Sequence, residues 1–399
     1  SLLYILCVAM VLLSGCNASM TDQSSVTREG LYEIVFDLGE VQCPTRWEIS
    51  EDGITIINAE ERIQVSEYHL FGDSASFVLP VFGTTVDFHF TAQDSLRGFF
   101  RNQFRKGGYK VAFAGHKSKK LTDFQKEPNI QSTYDVTIDK NEDAYKAIGI
   151  LNSRNNRVTG TFLTETGDYR FLEGKKTSED EYYLSCFDGS HLFYFSAAVE
   201  GDSISGKFYS GNHWNTTWNA VKDESISLID PDSLTYLNRG ETSIQFMGVD
   251  LNKDTTEFNS MDFNQVSIIQ VLGTWCPNCM DETRYYSQLV TKYGDQLNII
   301  GLAFERPSDL ATQLENIALY QKELNVDYPI YLSGSASKSE ASDMFSELNG
   351  ISSFPTTLYI DKKGMVRKIH TGFYGPSTGD YYTDYVKETE AFLDGLISE

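Results

Sequence analysis

The chain has 399 residues, enough for more than one hydrophobic core. Its formal charge of −23 argues against nucleic acid or an anionic membrane surface as a partner, and is read as a solubility feature. Aromatic residues make up 13% of the chain, which suits β-rich structure and argues against disorder.

Residues 1–15, SLLYILCVAMVLLSG, are apolar and uncharged. The run is short for a membrane span and fits the hydrophobic region of a signal peptide. Leu13-Ser14-Gly15-Cys16 resembles a bacterial lipobox. That resemblance implies cleavage before Cys16, lipid on its sulfur and attachment to a membrane. Asn17 after the cysteine points to an outer-membrane, periplasm-facing lipoprotein of a Gram-negative bacterium. An ordinary secretory signal with an incidental cysteine is the alternative. Residues 16–29 are small and polar and read as a lipid-anchored flexible tether.

Residues 30–225 read as one β-rich domain, a sandwich or open barrel. Short apolar runs alternate with Gly, Asn and Asp turns. Asp188-Gly189, between Tyr182–Phe187 and Ser190–Ala198, is the strongest hairpin signal. Trp214 and Trp218 could form a ligand-stacking face, or be core and strand-edge aromatics. Cys43 and Cys186 could form a structural disulfide or remain two buried thiols, since connectivity is not deducible from sequence. His69, His89, His116 and His191 stand singly, and no metal site is expected.

Residues 226–399 alternate strand and helix, an α/β pattern with a mixed sheet. Expected helices cover Pro277 to about Tyr293, Leu310–Leu324, Lys338–Leu348 and Asp384–Ile397. Expected strands cover Val266–Leu272, Leu297–Phe304, Thr356–Ile360 and Met365–His370. Val266–Leu272 is nearly continuous in apolar residues, as a strand buried on both faces requires. Trp275-Cys276-Pro277-Asn278-Cys279 follows it and opens a helix, with Pro277 in the first turn. Free amides at a helix start stabilise a thiolate at Cys276, and Cys279 lies one turn on. A nucleophilic thiol beside a resolving thiol is the minimal equipment for thiol–disulfide exchange. Half of a zinc site, a small structural disulfide and a peroxide-reducing cysteine are the competing readings. The other cysteines are isolated, the loop is too short to stabilise much, and a second cysteine is present.

On these residues, the segment from about Ser225 to Glu399 resembles the thioredoxin fold, and within it the TlpA/ResA-like extracytoplasmic thiol–disulfide oxidoreductases. The stretches TGTFLTETGDYRFLEG, LSCFDGSHLFYF and GKFYSGNHWNTTW resemble a companion region found on some lipoproteins of that family. The resemblance implies that Pro355, after Phe354, is cis and lies against the Cys276 sulfur. It implies that Glu305, at a strand end, sits beside the dithiol and manages its protons; a solvated glutamate paired with Arg306 is the alternative. Glu282 reads as helix surface. The function expected is a disulfide reductase acting on disulfide-containing proteins through Cys276 and Cys279. It needs no bound cofactor but requires a membrane electron donor for re-reduction. The rival reading is a recruitment lipoprotein in which the thioredoxin fold is a scaffold.

Overall fold

A computed structural model describes residues 28–399 apart from 66, 93, 106, 119–129 and 140–143. Residues 1–27, with the apolar run, Cys16 and most of the tether, lie outside the described residues.

The β-rich region expected as one domain is two sheets with separate cores. The first has nine antiparallel strands: β1 (Gly30–Asp37), β2 (Gln42–Ser50), β3 (Gly53–Asn58), β4 (Glu61–Val65), β5 (His69–Phe71), β6 (Ser74–Val78), β7 (Thr85–Ala92), β8 (Ser95–Asn102) and β9 (Tyr109–Lys117). Their order is β4-β3-β2-β1-β9-β8-β7-β6-β5, a half-barrel with two free edges. Every second residue of β1 and β2 faces inward, so Ile34, Phe36 and Trp47 line one face, as the period of an extended chain requires.

The second sheet comprises β10 (Ile130–Ile138), β11 (Tyr145–Arg154), β12 (Arg157–Thr164), β13 (Gly167–Asp168), β14 (Leu172–Lys175), β15 (Glu181–Phe187), β16 (Leu192–Glu200), β17 (Ser203–Ser210) and β18 (Trp214–Lys222). β10 pairs with both β18 and β11, and β11 pairs in turn with β12, so eight of the strands close into a ring and only β13 stands outside it. This is a closed antiparallel barrel, so of the expected sandwich or open barrel only the first sheet, an open half-barrel, matches the second alternative. Phe162, Phe195, Phe208 and Trp218 fill it, with Phe195 and Phe208 stacked at 4.2 Å. The Asp188-Gly189 turn joins β15 to β16, and the Asp188 carboxylate accepts the N–H groups of Ser190 and His191. Phe187 reaches out of the barrel to join Phe36, Trp47 and Phe100 in the half-barrel core.

The third unit is a seven-stranded sheet in the order β20-β19-β23-β22-β21-β24-β25, with β19 (Gln245–Val249), β20 (Thr255–Asn259), β21 (Val266–Leu272), β22 (Leu297–Glu305), β23 (Ile330–Ser335), β24 (Thr356–Ile360) and β25 (Val366–Thr371). Its helices are α1 (Pro277–Tyr293), α2 (Leu310–Leu324), α3 (Lys338–Met344) and α4 (Asp380–Ser398). All seven residues of β21 are buried, because β22 pairs on one side and β24 on the other while helices cover the faces. Strand β23 was not anticipated, and α3 is shorter than its expected range.

Candidate active site: two cysteines at a helix start beside a cis proline

Strand β21 ends in the middle of the sheet, and four residues separate it from α1. Cys276 is the N-cap of α1 and its sulfur accepts the N–H of Cys279 at 3.4 Å. Cys276 is 8% exposed and Cys279 fully buried. Both are free thiols. The thiol of Cys276 also points at the carbonyl oxygen of Phe354, 3.6 Å away, and the Phe354–Pro355 bond is cis. The corner between β21 and α1 and the loop that enters β24 thus bring residues far apart in sequence to one sulfur. Trp275 closes a third side: its indole N–H donates to Phe304 O at 2.9 Å and its ring stands edge-on to Phe354.

The two sulfurs are electrostatically unequal. Cys276 is held below the ordinary thiol range, first by the Cys279 thiol donating to it and then by the N–H groups of Cys279 and Asn278. Burial pushes Cys279 well above that range, and the neighbouring Cys276 sulfur adds to the rise.

The carboxylate whose charge acts on both sulfurs is Glu282, one turn along α1. It is fully buried, which corrects its reading as helix surface. It accepts from Gln270 Nε2 at 2.8 Å, Thr357 Oγ1 at 2.9 Å and the Tyr286 hydroxyl at 3.1 Å. Gln270 is itself buried in β21 and also receives the Tyr328 hydroxyl. A polar layer therefore runs beneath the dithiol inside an otherwise apolar core. Burial pushes Glu282 up to about 7 despite these donors.

Glu305 bonds to the turn that precedes the dithiol. It is 1% exposed, so it is not a solvated partner of Arg306. Its carboxylate accepts the Thr274 N–H at 2.9 Å and the Thr274 hydroxyl at 2.7 Å. It fixes the turn that leads into Cys276. Burial raises it above the ordinary carboxylate range. Away from this site, Cys43 and Cys186 are buried free thiols, so the disulfide alternative is not formed. Among the described residues no cluster of potential metal ligands occurs.

The barrel reaches the site directly. The turn between β12 and β13 lies on the active-site rim, where Asn278 Nδ2 donates to Asp168 O at 3.4 Å and Tyr374 OH donates to Thr164 O at 2.9 Å. The Asp168 carboxylate accepts the Gly375 N–H at 2.6 Å and the Ser377 hydroxyl at 3.1 Å. Gly167 has φ +149°, and a Cβ there would lie 1.9 Å from Asn278 Nδ2, so only glycine permits this approach. Behind the turn, Arg170 is 2% exposed and pairs with Glu61 of the half-barrel and Asp281 of α1, with Asp188 of the barrel 3.9 Å away. None of these contacts was anticipated from sequence. The one available hint was the arginine and acid content of stretches that also carry hairpin turns, and that is common on surfaces.

A dithiol at a helix start, with a cis proline across from it, on a central strand of an α/β sheet, defines a thioredoxin-fold thiol–disulfide oxidoreductase. The chain belongs to this family, and the Redoxin domain matches residues 239–384. It is 30% identical over 144 residues to the thiol:disulfide interchange protein DsbE of Vibrio cholerae, covering 36% of this chain and 70% of that one. It is 26% identical over 134 residues to the thiol-disulfide oxidoreductase ResA of Halalkalibacterium halodurans, covering 33% and 68%. Among solved structures it is similar to a thioredoxin-family thiol:disulfide interchange protein from Chlorobium tepidum, with 20% identity over 37% of this chain and 97% of that chain and a TM-score of 0.27.

Proposed function

We propose that this oxidoreductase reduces disulfides in extracytoplasmic proteins, held to a membrane by lipid at Cys16. The observation that carries the reading is the inequality of the two thiols: Cys276 is the more acidic and borders the surface, whereas Cys279 is buried and protonated. The Cys276 thiolate attacks one sulfur of a substrate disulfide. The substrate S–S bond breaks, a mixed disulfide forms, and the departing substrate sulfur takes up a proton. Cys279 then loses its proton and attacks the Cys276 sulfur. This releases the second substrate thiol and leaves a Cys276–Cys279 disulfide, two electrons having passed to the substrate. Glu282, lying near neutrality within the polar layer, is suited to take the Cys279 proton.

The proposed direction of flow draws support from the same carboxylate: its charge opposes ionisation at both sulfurs and so offsets part of the stabilisation of the Cys276 thiolate. A less stabilised thiolate gives electrons up more readily, which favours reduction of substrates. Re-reduction then requires a membrane electron donor. Lipid attachment, supported by Leu13-Ser14-Gly15-Cys16, would place the protein on the periplasmic side of an outer membrane. The test is a single turnover. Protein reduced with dithiothreitol and freed of it is mixed with a model protein disulfide, and thiols are counted on both. The expected result is one Cys276–Cys279 disulfide formed per substrate disulfide lost. A wild-type protein that keeps both thiols would overturn the reading.

A further inference from the structure

We propose that the open end of the barrel is the substrate cleft, and that it selects disulfide-bonded peptide segments carrying an aromatic residue and a carboxylate close to the cysteine. The inference rests on the reductase reading and adds the substrate class.

A cleft of about 820 Å³ lies between the barrel mouth and the redox site. Asn278, Ser353 and Phe354 form its floor beside Cys276, while Tyr169, Phe193, Phe208 and Trp214 form its aromatic wall. Trp214 is 41% exposed and meets Phe208 edge-on at 5.5 Å, whereas Trp218, four residues on, is buried in the barrel core. An exposed indole continuous with a buried aromatic stack is a surface on which another aromatic ring gains contact without displacing anything. The turn at Thr164–Asp168 fixes this wall against the redox unit, so the distance from wall to sulfur is set by the fold.

The cleft also carries a positive charge that forms no ion pair among the described residues. Arg105 lines it, lies over the Tyr109 ring and meets His213 Nε2 at 2.6 Å. Burial and then the guanidinium push the His213 imidazole towards its neutral form. Nearby, Arg306 lies over the Trp275 ring and interacts electrostatically with Arg105, with the adjoining Glu305 and with Cys276. Among the described residues neither arginine has a carboxylate within ion-pair distance, in a chain of net charge −23. The other charges at the cleft are engaged or lie to one side. Lys146 pairs with Asp135, His191 meets Asp188, and Asp168 is occupied by Gly375 and Ser377. Among the described residues that line the cleft, Glu165, on the docked turn, is the remaining acid. A substrate carboxylate in the cleft would therefore meet the Arg105 guanidinium, and a lysine there would be repelled.

The test uses full-length protein, reduced beforehand, and disulfide-bonded ten-residue peptides. One peptide carries Phe and Glu within three residues of its cysteine, and a matched one carries Ala and Lys instead. The Phe/Glu peptide should react about tenfold faster at low concentration, the effect of a single well-placed contact of this kind. Trp214→Ala and Arg105→Gln should each remove most of that preference through KM. Both should leave the reaction with hydroxyethyl disulfide unchanged, because so small a molecule reaches the sulfur without the wall. Equal rates for the two peptides, or variants that keep the preference, would overturn the proposal while leaving the reductase reading intact. Glutathione disulfide reacting as well as the Phe/Glu peptide would also overturn it, in favour of a small-molecule substrate. If wild-type protein reduces nothing, the reductase reading fails. Fluorescence anisotropy with the same peptide carrying Ser for Cys then decides the cleft alone: binding weakened by Trp214→Ala supports it, and no binding overturns it.

Discussion

Arg170 of the barrel forms a buried ion pair with Asp281, two residues after Cys279, so the barrel holds the redox helix by a charge inside the protein. The same guanidinium pairs with Glu61 of the half-barrel, and one side chain thereby touches all three units. Removing one partner from a buried cluster leaves its acids uncompensated, which costs about 3–5 kcal/mol. Arg170→Met should therefore lower stability to urea by about that amount. Arg170→Met combined with Asp281→Asn should recover part of the loss, because one orphaned charge is gone. Urea titration followed by tryptophan fluorescence measures both, and an Arg170→Met curve matching wild type would refute the clamp.

The division of labour between the cysteines predicts unequal trapping. In Cys279→Ala, Cys276 can still attack but nothing resolves the mixed disulfide, so substrate adducts should accumulate. Cys276→Ala should trap few adducts and lose turnover. Non-reducing electrophoresis of each variant reads the outcome, and equal trapping by both would reverse the roles assigned here.

Glu282 predicts a pH dependence with a definite sign. Its folded value, about 7, lies above the ordinary 4.5. A carboxyl raised in this way favours the folded state fully below pH 4.5, and that contribution is lost as the pH rises towards 7. Glu282→Gln has no such loss. Relative to the variant, wild type should weaken by about 3 kcal/mol between pH 4.5 and pH 7.5. Urea midpoints across that range measure it, and a constant difference would show that Glu282 does not titrate there. The substitution also removes a negative charge from both thiols, so the pH profile of alkylation by iodoacetamide should move to lower pH.

Glu305→Gln separates the two glutamates. Glu305 bonds to Thr274 N–H and hydroxyl, so its loss should cost about 1–2 kcal/mol of stability. The alkylation profile should stay near that of wild type. A shift as large as that of Glu282→Gln would return Glu305 to the chemistry of the dithiol.

Much of the redox unit was legible because local and global signals agree there. The apolar run Val266–Leu272 could only be a strand covered on both faces, and Pro277 marked the first turn of α1. Glu282 was misread because a carboxylate on a helix is ordinarily exposed. The overlooked signal was Gln270, a polar residue in the middle of that apolar run, which announces a buried polar partner. β23 was missed because Ile330–Ser335 is short and ends in Ser-Gly-Ser. Closure of the barrel depends on β10 meeting β18 some eighty residues later, as in Asp135 opposite Val221. Alternating strands look alike whether their sheet is open or closed, so that pairing leaves no local trace.

The proposed anchoring at Cys16 predicts a fractionation change. Cys16→Ser should leave the protein unprocessed or release it from membranes, as read by fractionation with globomycin-treated cells as a control. Processed variant that still sediments with membranes would remove lipid from the account.

The recessed position of Cys276, between the barrel turn and Phe354, has a consequence for timing. A folded domain cannot carry an internal disulfide into a cleft of about 820 Å³, but a loose segment can enter. On the proposed reading, access is thereby decided by the client's own state of folding. Chains with mispaired cysteines are open to correction while they remain unfinished, and those that have matured are spared without any need for the redox potential to tell them apart.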